Sequence, residues 1–239
     1  DMEEGRNGIS VRFEGPESGS QPRLFDRVLV AVGRKPFTGG LGLDTTGVKL
    51  NNKGFVEVNA QRQTSVSTIY AVGDVVGDPL LAHKATHEAP VAVDAILGKP
   101  AAFDPKAIPA VIYSDPEIAY CGLTEDEANR TGRDVHVTRF PWGASGRAAT
   151  LGRPEGVTKL VLEPDTGVVL GVGIVGVHAG ELIAQGVQAV EMGATAEDLA
   201  LMVHAHPTLS ETIMEAAEAF VGHSTHFYGR KSTPTAKGR

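Results

Sequence analysis

Hydrophobic runs of strand length stand out in the first part of the chain. Ile9–Glu14 and Leu24–Val32 are rich in β-branched and large apolar residues, and the Gly, Pro and Ser residues between them predict a turn. The two runs therefore indicate an antiparallel pair. A third run, Thr68–Val72, predicts another strand, and the alanine- and leucine-rich stretch Leu81–Leu97 predicts a helix. The turn-forming cluster Gly98–Pro109 follows, and we predict a domain boundary there.

Strands and helices alternate beyond this boundary. The predicted strands are Val111–Ser114, Val135–Phe140, Thr158–Glu163 and Val168–Val177, of which the last two form a hairpin. The predicted helices are Glu125–Arg130, Gly180–Met192, Ala196–Met202 and Thr208–Val221. In the last helix an apolar stripe recurs at helical spacing, formed by Leu209, Ile213, Ala216, Ala217 and Phe220. The pattern predicts an α/β part followed by an α+β domain with a mostly antiparallel sheet.

The composition restricts the class of function more than the fold. The chain has 239 residues, 41% of them hydrophobic, and a net charge of −7, which favours a folded core and argues against nucleic acid or an anionic membrane as the main partner. Neither a membrane-spanning run nor a secretory signal pattern occurs, so we predict a cytoplasmic location. The only cysteine, Cys121, excludes an internal disulfide within this chain. Residues 228–239 are basic and are interpreted as a frayed tail.

Gly73 and Asp74 follow the predicted strand Thr68–Val72 and precede the helix that begins at Leu81. An Asp at the carboxyl end of a buried strand is well placed to bind a ligand hydroxyl, because ligands of open α/β sheets lie beside those strand ends. Gly73 lets the backbone approach closely, and the free amides at the helix start attract an anion. Pro90 is expected to kink this helix. A simple cap or turn residue is the alternative interpretation of Asp74.

His206 stands directly before Pro207. Because proline disfavours a helical residue before it and suits a first helical turn, we expect His206 in an extended conformation at a helix start. Glu211 lies in the opening turns of that helix and can fold back toward the imidazole. A carboxylate on one ring nitrogen fixes the tautomer and raises the basicity of the other nitrogen, as a general base requires. A helix cap or a surface residue is the alternative for His206, and His204 lacks the further ligands of a metal site.

Two other patterns match functional motifs without the context that those motifs need. Gly171, Gly173 and Gly176 have dinucleotide-binding spacing, but their strand follows a hairpin and no acidic residue is clearly placed about twenty positions later. Cys121 has no second cysteine with which to form a redox pair. We therefore expect the glycines to lie away from any nucleotide and the thiol to pack as a small apolar residue.

Several motifs together resemble the dihydrolipoamide dehydrogenases among the pyridine-nucleotide disulfide oxidoreductases. Thr68–Asp74 with Pro79–Ala85 is similar to the second flavin-binding motif of that family. Leu29–Pro36, which contains Gly33, is similar to the strand and Gly-Arg turn that close its NAD domain, and His204–Glu211 is similar to its terminal active-site motif. The resemblance, which also includes interface-domain segments such as Tyr113–Glu125, covers nearly the whole chain apart from the tail.

The resemblance implies roles for individual residues. Asp74, after Gly73, would bind the ribityl hydroxyls of FAD, and the backbone of the next helix start would contact the flavin ring through Leu81, Ala82 and His83. His206 would be the catalytic base and Glu211 its partner. The departure from the expected pattern is Pro90 within the flavin-motif helix.

The resemblance also implies a domain organisation. Residues 1–36 would end an NAD-binding domain, and residues 37–104 would form the carboxy-terminal part of the FAD-binding and central domains. Residues 105–227 would form the interface, or dimerisation, domain, and residues 228–239 the tail. The redox cysteine pair and the amino-terminal flavin and nicotinamide fingerprints are expected in an amino-terminal half outside this chain.

The implied activity is oxidation of dihydrolipoamide with reduction of NAD⁺ through FAD. The enzyme would be a homodimer in which His206 and Glu211 act on the partner subunit's flavin and thiols. It would serve 2-oxo-acid dehydrogenase complexes or the glycine cleavage system through their lipoyl domains. Two alternatives remain: a sibling flavin disulfide reductase of the glutathione or mercuric type, and a catalytically silent dimerisation module.

Overall fold

A computed structural model of the chain describes residues 1–15, 19 and 21–227. The chain opens with a three-stranded antiparallel sheet of β1 (Met2–Gly5), β2 (Gly8–Val11) and β3 (Arg23–Phe25) in that order. Ile9 pairs with Phe25 across β2 and β3, so the predicted antiparallel pairing of these two runs is confirmed.

The strand predicted over Leu24–Val32 is wrong beyond Phe25. Leu29 and Val32 are almost fully exposed, and the segment that contains them has no strand assignment. A strand needs a neighbouring backbone to pair its amides and carbonyls, and the described part of the chain places none beside this segment. The apolar pattern of Leu24–Val32 predicts a strand, but its second half has no neighbouring strand among the described residues.

The strand predicted over Thr68–Val72 is also wrong. Only Tyr70 forms an isolated bridge, with Gln63, and the following residues enter a short 3₁₀ turn, Gly73–Val76. Another such turn covers Leu43–Thr45, and the rest of the region between residues 26 and 81 is irregular. The predicted helix is confirmed as α1 (Ala82–Ile96), and it continues through Pro90.

A five-stranded antiparallel sheet forms the second part of the chain. Its members are β4 (Ala110–Ile112), β5 (Glu117–Gly122), β6 (His136–Pro141), β7 (Val157–Leu162) and β8 (Val169–Gly176), in the spatial order β4-β5-β8-β7-β6. The antiparallel sheet and the β7–β8 hairpin were predicted and are confirmed. The sequence interpretation missed β5, because its buried positions are the small residues Ala119 and Cys121 while the large apolar residues Ile118 and Tyr120 are exposed.

The helices of this part are α2 (Glu125–Thr131), α3 (Gly146–Leu151), α4 (Ala179–Met192), α5 (Ala196–Leu201) and α6 (Glu211–Val221). All except the short α3 were predicted. Helix α6 begins three positions later than expected, at Glu211 rather than Thr208. The reason is local hydrogen bonding: the Thr208 hydroxyl donates to the Ala205 carbonyl, and its amide donates to the Glu211 side chain, which holds this residue in a turn.

The core lies where α4 packs on β5 and β8 and where α6 packs on β6 and β7. Most of the predicted stripe of α6 is buried there, with Ile213, Ala216 and Ala217 inaccessible to solvent. This face is therefore buried inside its own domain. Cys121 is also buried in the core, as predicted, and burial raises the pKa of its thiol to about 12, which makes it a poor nucleophile.

The glycines of β8 serve packing. They lie inside one continuous strand rather than at a strand-to-helix turn, which is the context that a dinucleotide-binding loop needs. Gly176 has a φ of 153°, and a side chain there would overlap the buried ring of Trp142.

No helix among residues 1–15, 19 and 21–227 is long and apolar enough to cross a membrane. The domain divisions at residues 36 and 104 stay predictions. The basic tail, 228–239, lies outside the described residues.

Replacing Gly176 with alanine tests the packing role. Gly176→Ala should lower the free energy of unfolding in urea by about 1–3 kcal/mol, because the new methyl group displaces Trp142 and the backbone is strained. Gly143→Ala is the matched control: it is exposed, its φ is unexceptional and no atom lies within 4 Å of the added Cβ. A Gly176→Ala variant as stable as the control would contradict this account.

Candidate active site

His206 and Glu211 are held together at the start of α6. The Nδ1 atom of His206 lies 2.9 Å from Oε1 of Glu211, while Oε2 of the same carboxylate accepts a 2.6 Å hydrogen bond from the Thr208 amide. One carboxylate thus fixes both the imidazole and the turn that carries it. When Nδ1 donates its proton to Glu211, the lone pair of a neutral ring lies on Nε2.

The accessibility of the pair differs between its members. The His206 side chain is 69% exposed, and Glu211 is 18% exposed. Within the described residues, the Nε2 atom of His206 has no hydrogen-bond partner, and most of the side chain is accessible to solvent. This arrangement presents a basic nitrogen to a reactant that approaches from outside the chain.

Local hydrogen bonds keep Glu211 ionised. Partial burial is the largest single influence and raises its pKa, but the Thr208 amide and the His206 imidazole together outweigh burial, so the pKa of Glu211 lies below its ordinary value. Because the folded-state pKa is depressed, the ionised carboxylate stabilises the fold above the ordinary carboxyl range. That contribution is lost as the pH falls through the folded value.

A buried chain of hydrogen bonds ties this helix start to the sheet. Trp142 Nε1 donates to Thr158 Oγ1 at 3.0 Å, and Thr158 Oγ1 lies 2.8 Å from Thr212 Oγ1. The Thr212 hydroxyl donates in turn to the Leu209 carbonyl at 2.7 Å. Since all three side chains are fully buried, the start of α6 has little freedom to move relative to β7.

His204 is engaged at both ring nitrogens. Its Nδ1 lies 2.9 Å from the Met202 carbonyl, which can only accept, and its Nε2 lies 3.0 Å from the Gln185 amide nitrogen, which can only donate. The neutral Nδ1–H tautomer satisfies both contacts. Among the described residues, no group of three or more His, Cys, Asp or Glu side chains is arranged to hold a metal ion.

A small cavity of about 20 Å³ lies beside the pair, lined by Phe140, Ala144, Ser145, Gly146, His206, Glu211, Thr212, Glu215 and His226. It has room for about one water molecule. A substrate must therefore reach His206 from its exposed side. The sequence interpretation missed Glu215 and His226, although Glu215 follows Glu211 at helical spacing and therefore shares its face of α6.

The second group of predicted residues surrounds the 3₁₀ turn Gly73–Val76. Gly73 is buried with a φ of 82°, and an added Cβ would lie 3.1 Å from the Ala85 side chain. The Gly73 amide donates to Glu88 Oε2 at 2.5 Å, and the Lys84 ammonium donates to the carbonyls of Gly73 and Gly77 at 3.1 and 2.8 Å. The turn is therefore fixed by side chains of α1.

Buried charges beneath this turn compensate one another. Glu88 lies 3.3 Å from the Lys84 ammonium and 3.0 Å from the Arg62 guanidinium, and its side chain is almost fully buried. A buried carboxylate is tolerated when paired and hydrogen-bonded in this way. Sequence reasoning missed all three residues, and the signal that could have found two of them is the i, i+4 spacing of Lys84 and Glu88.

Asp74 lies on the exposed side of this turn. Its predicted position at the end of a buried strand is wrong, since residues 71 and 72 are not in a strand and Asp74 is exposed. Its Oδ2 atom is 3.4 Å from Nη1 of Arg34, which also donates to the Leu80 carbonyl at 3.3 Å. Arg34 of the Gly-Arg segment thus lies beside Asp74, whereas Gly33 itself is exposed and a Cβ added there would have no neighbouring atom within 4 Å.

The start of α1 adjoins Asp74. Leu81 is the residue before the helix and no side chain caps it, and the amides of Ala82 and His83 are too early in the helix to have an intrahelical acceptor. The His83 imidazole points elsewhere, with Nε2 2.7 Å from the Pro109 carbonyl. The structure therefore brings together an exposed carboxylate and free helix amides, which suits a ligand with both hydroxyl and anionic or acceptor groups.

Family models match most of the chain. The pyridine nucleotide-disulphide oxidoreductase model matches residues 6–89, and the dimerisation-domain model of the same family matches residues 108–217. Proteins named dihydrolipoyl dehydrogenase are similar in sequence. That of Thermus scotoductus is 50% identical over 95% of this chain and 50% of its own length, and that of Vibrio cholerae is 44% identical over 97% and 49%.

Solved structures agree with these matches. LpdA from Mycobacterium tuberculosis has a TM-score of 0.81 at 27% identity, with 91% of this chain and 47% of that chain covered. The HOCl-induced flavoprotein disulfide reductase RclA from Escherichia coli has a TM-score of 0.79 at 26% identity, with 91% and 49% covered. The chain spans about half the length of the curated relatives it matches. The resemblance recognised in the sequence is confirmed, and this chain belongs to the pyridine nucleotide-disulphide oxidoreductase family.

Proposed function

We propose that this chain is the carboxy-terminal part of a dihydrolipoyl dehydrogenase, which oxidises dihydrolipoamide to lipoamide and reduces NAD⁺ through FAD and a redox disulfide. The observation that carries the proposal is the exposed His206 imidazole, held at Nδ1 by a carboxylate of α6. The relatives named dihydrolipoyl dehydrogenase support the choice of substrate. The disulfide and the remaining cofactor contacts belong to an amino-terminal half outside this chain.

His206 acts as a base toward a thiol in this proposal. Nε2 removes a proton from one thiol of dihydrolipoamide, and the resulting thiolate attacks the enzyme disulfide. The imidazolium returns that proton to the first enzyme thiolate that is released, and Nε2 then accepts the proton of the second substrate thiol. The resulting thiolate attacks the substrate sulfur of the mixed disulfide and displaces the other enzyme sulfur as a thiolate, so that lipoamide leaves and the enzyme disulfide is reduced. Glu211 stabilises the imidazolium that forms after the first proton transfer, and it keeps the ring oriented.

The residues around Asp74 fit the ribityl and pyrimidine end of FAD. The Asp74 carboxylate is exposed and can accept hydrogen bonds from ribityl hydroxyls, and the free amides of Ala82 and His83 can donate to carbonyl oxygens of the ring. The partial positive charge of the α1 start favours negative charge there. Bound FAD would supply the two-electron path from the enzyme dithiol to NAD⁺, so that the overall products are lipoamide, NADH and a proton.

The proposed assembly is a homodimer. The dimerisation-domain match over residues 108–217 supports a two-fold interface, in which each subunit presents the same surface. His206 would then act on the disulfide of the partner subunit. The proposed physiological partners are lipoyl domains of 2-oxo-acid dehydrogenase complexes or of the glycine cleavage system, in the cytoplasm.

Removal of the base tests the proposal. In the complete flavin-loaded enzyme, His206→Gln should lower dihydrolipoamide turnover by about two to four orders of magnitude while flavin absorbance is retained, because the proton acceptor is lost. Glu211→Gln should act in the same direction but less severely. His223→Gln and Glu181→Gln, both exposed, are controls that should keep wild-type turnover. Unchanged turnover in His206→Gln, or no dihydrolipoamide turnover in the wild type, would contradict the proposal.

Loss of the Asp74 carboxylate tests the flavin site. In the complete enzyme, Asp74→Ala should weaken FAD binding by about 1.5–3 kcal/mol, because a charge-assisted hydrogen bond is removed. Flavin retention after dialysis against chaotropic salt measures the effect. Asp94→Ala is a matched control, since Asp94 has a similar side-chain exposure of 43% against 49% and forms a comparable surface ion pair, with Lys99. Equal flavin retention in the two variants would mean that Asp74 is a turn residue only.

A further inference from the structure

A second carboxylate–imidazole pair lies next to the first on α6. Glu215 follows Glu211 by one helical turn, and its side chain is only 3% exposed. A carboxylate buried to this degree needs partners. The partners that the described residues provide come from the segment after the helix: the Ser224 hydroxyl donates at 2.8 Å, the His226 amide donates at 3.3 Å, and His226 Nδ1 forms a short contact with Oε1.

This segment returns to the cavity beside His206. Phe227 packs edge-on against Phe140, with ring centroids 6.4 Å apart and an interplanar angle of 84°, and His226 lines the cavity together with His206 and Glu211. His226 therefore repeats the arrangement of His206. In both pairs Nδ1 lies against a carboxylate of α6, and in both the described residues provide no partner for Nε2.

The charged groups that face His226 are acidic and lie on α6. They are Glu211, Glu215 and Glu218. His206 also lines the cavity, and the lining residues from before β7, Phe140, Ala144, Ser145 and Gly146, do not titrate. The hydrogen bond to Glu215 is the main cause that raises the pKa of His226. His226 is thus stabilised as a cation, and that charge in turn helps to lower the pKa of Glu211.

We propose that Glu215 and His226 form a positioning pair, which places a positive charge beside Glu211 and so tunes how readily His206 gives up a proton. The proposal rests on the proposed role of His206 as base. His226 touches no reacting atom in this account; it acts through Glu211. While His226 is charged it opposes a second positive charge on His206, so that the base is free at lower pH.

The test is the pH dependence of kcat/KM in the complete flavin-loaded protein. His226→Asn keeps an amide donor near the position of Nδ1 but removes the charge. We expect the acid side of the profile to move to higher pH by about half a unit, because a lost positive charge favours protonation of the neighbouring base. Glu215→Gln should shift the profile less. The variant removes the negative charge of Glu215 and also weakens the positive charge on His226, and these two changes act on His206 in opposite directions. His223→Asn, in the same segment without a carboxylate hydrogen bond among the described contacts, is the control and should not shift it.

The outcomes separate this proposal from the proposed substrate. The profile is recorded with dihydrolipoamide, and the titration of His226 needs no turnover, so that failure with dihydrolipoamide counts against the substrate alone. A uniform loss of kcat/KM in His226→Asn without a shift would overturn the proposal in favour of a purely structural role. An NMR titration provides a readout besides activity: Glu215→Gln should lower the pKa of His226, and an unchanged value would also overturn the pair.

Discussion

The hydrogen-bonded contact between the start of α6 and the sheet determines where the proposed base can act. Trp142, Thr158 and Thr212 form a buried chain that ends on the Leu209 carbonyl, two residues before Glu211. If this contact were loose, the carboxylate that holds His206 would move with the helix. Because these three side chains are buried and hydrogen-bonded to one another, the imidazole can be exposed and still keep a fixed orientation.

An exposed side chain is held by buried interactions at the turn before α1 as well. There the exposed Asp74 depends on a buried set of charges, in which Glu88 binds the Gly73 amide while Lys84 binds the Gly73 carbonyl. In both sites a carboxylate of a helix holds an adjoining loop: Glu88 accepts a hydrogen bond from the Gly73 amide, and the partly buried Glu211 accepts one from the Thr208 amide. Each helix thus keeps the irregular segment beside it in a fixed conformation.

The sequence predicted the features that depend on local pattern. The helix at Leu81–Leu97 and the β7–β8 hairpin followed from periodicity and turn residues. The His206–Glu211 contact was also predicted, although the helix that carries Glu211 begins three residues later than expected. It failed where structure depends on distant partners. Leu29–Val32 forms no strand, since no strand of the described residues pairs with it, and Glu215 and His226 meet only because the chain folds back after α6.

Subunit mixing tests the central claim most directly, namely that this domain supplies its base to a partner subunit. A complete enzyme chain with His206→Gln is combined with a chain that lacks the redox cysteines, and subunit exchange is verified by mass. Each homodimer should be nearly inactive, whereas the mixed dimer contains one site with an intact cysteine pair and an intact His206 from the opposite chain. We predict recovery toward about half of wild-type dihydrolipoamide turnover. A mixed dimer as inactive as its parents would contradict the account.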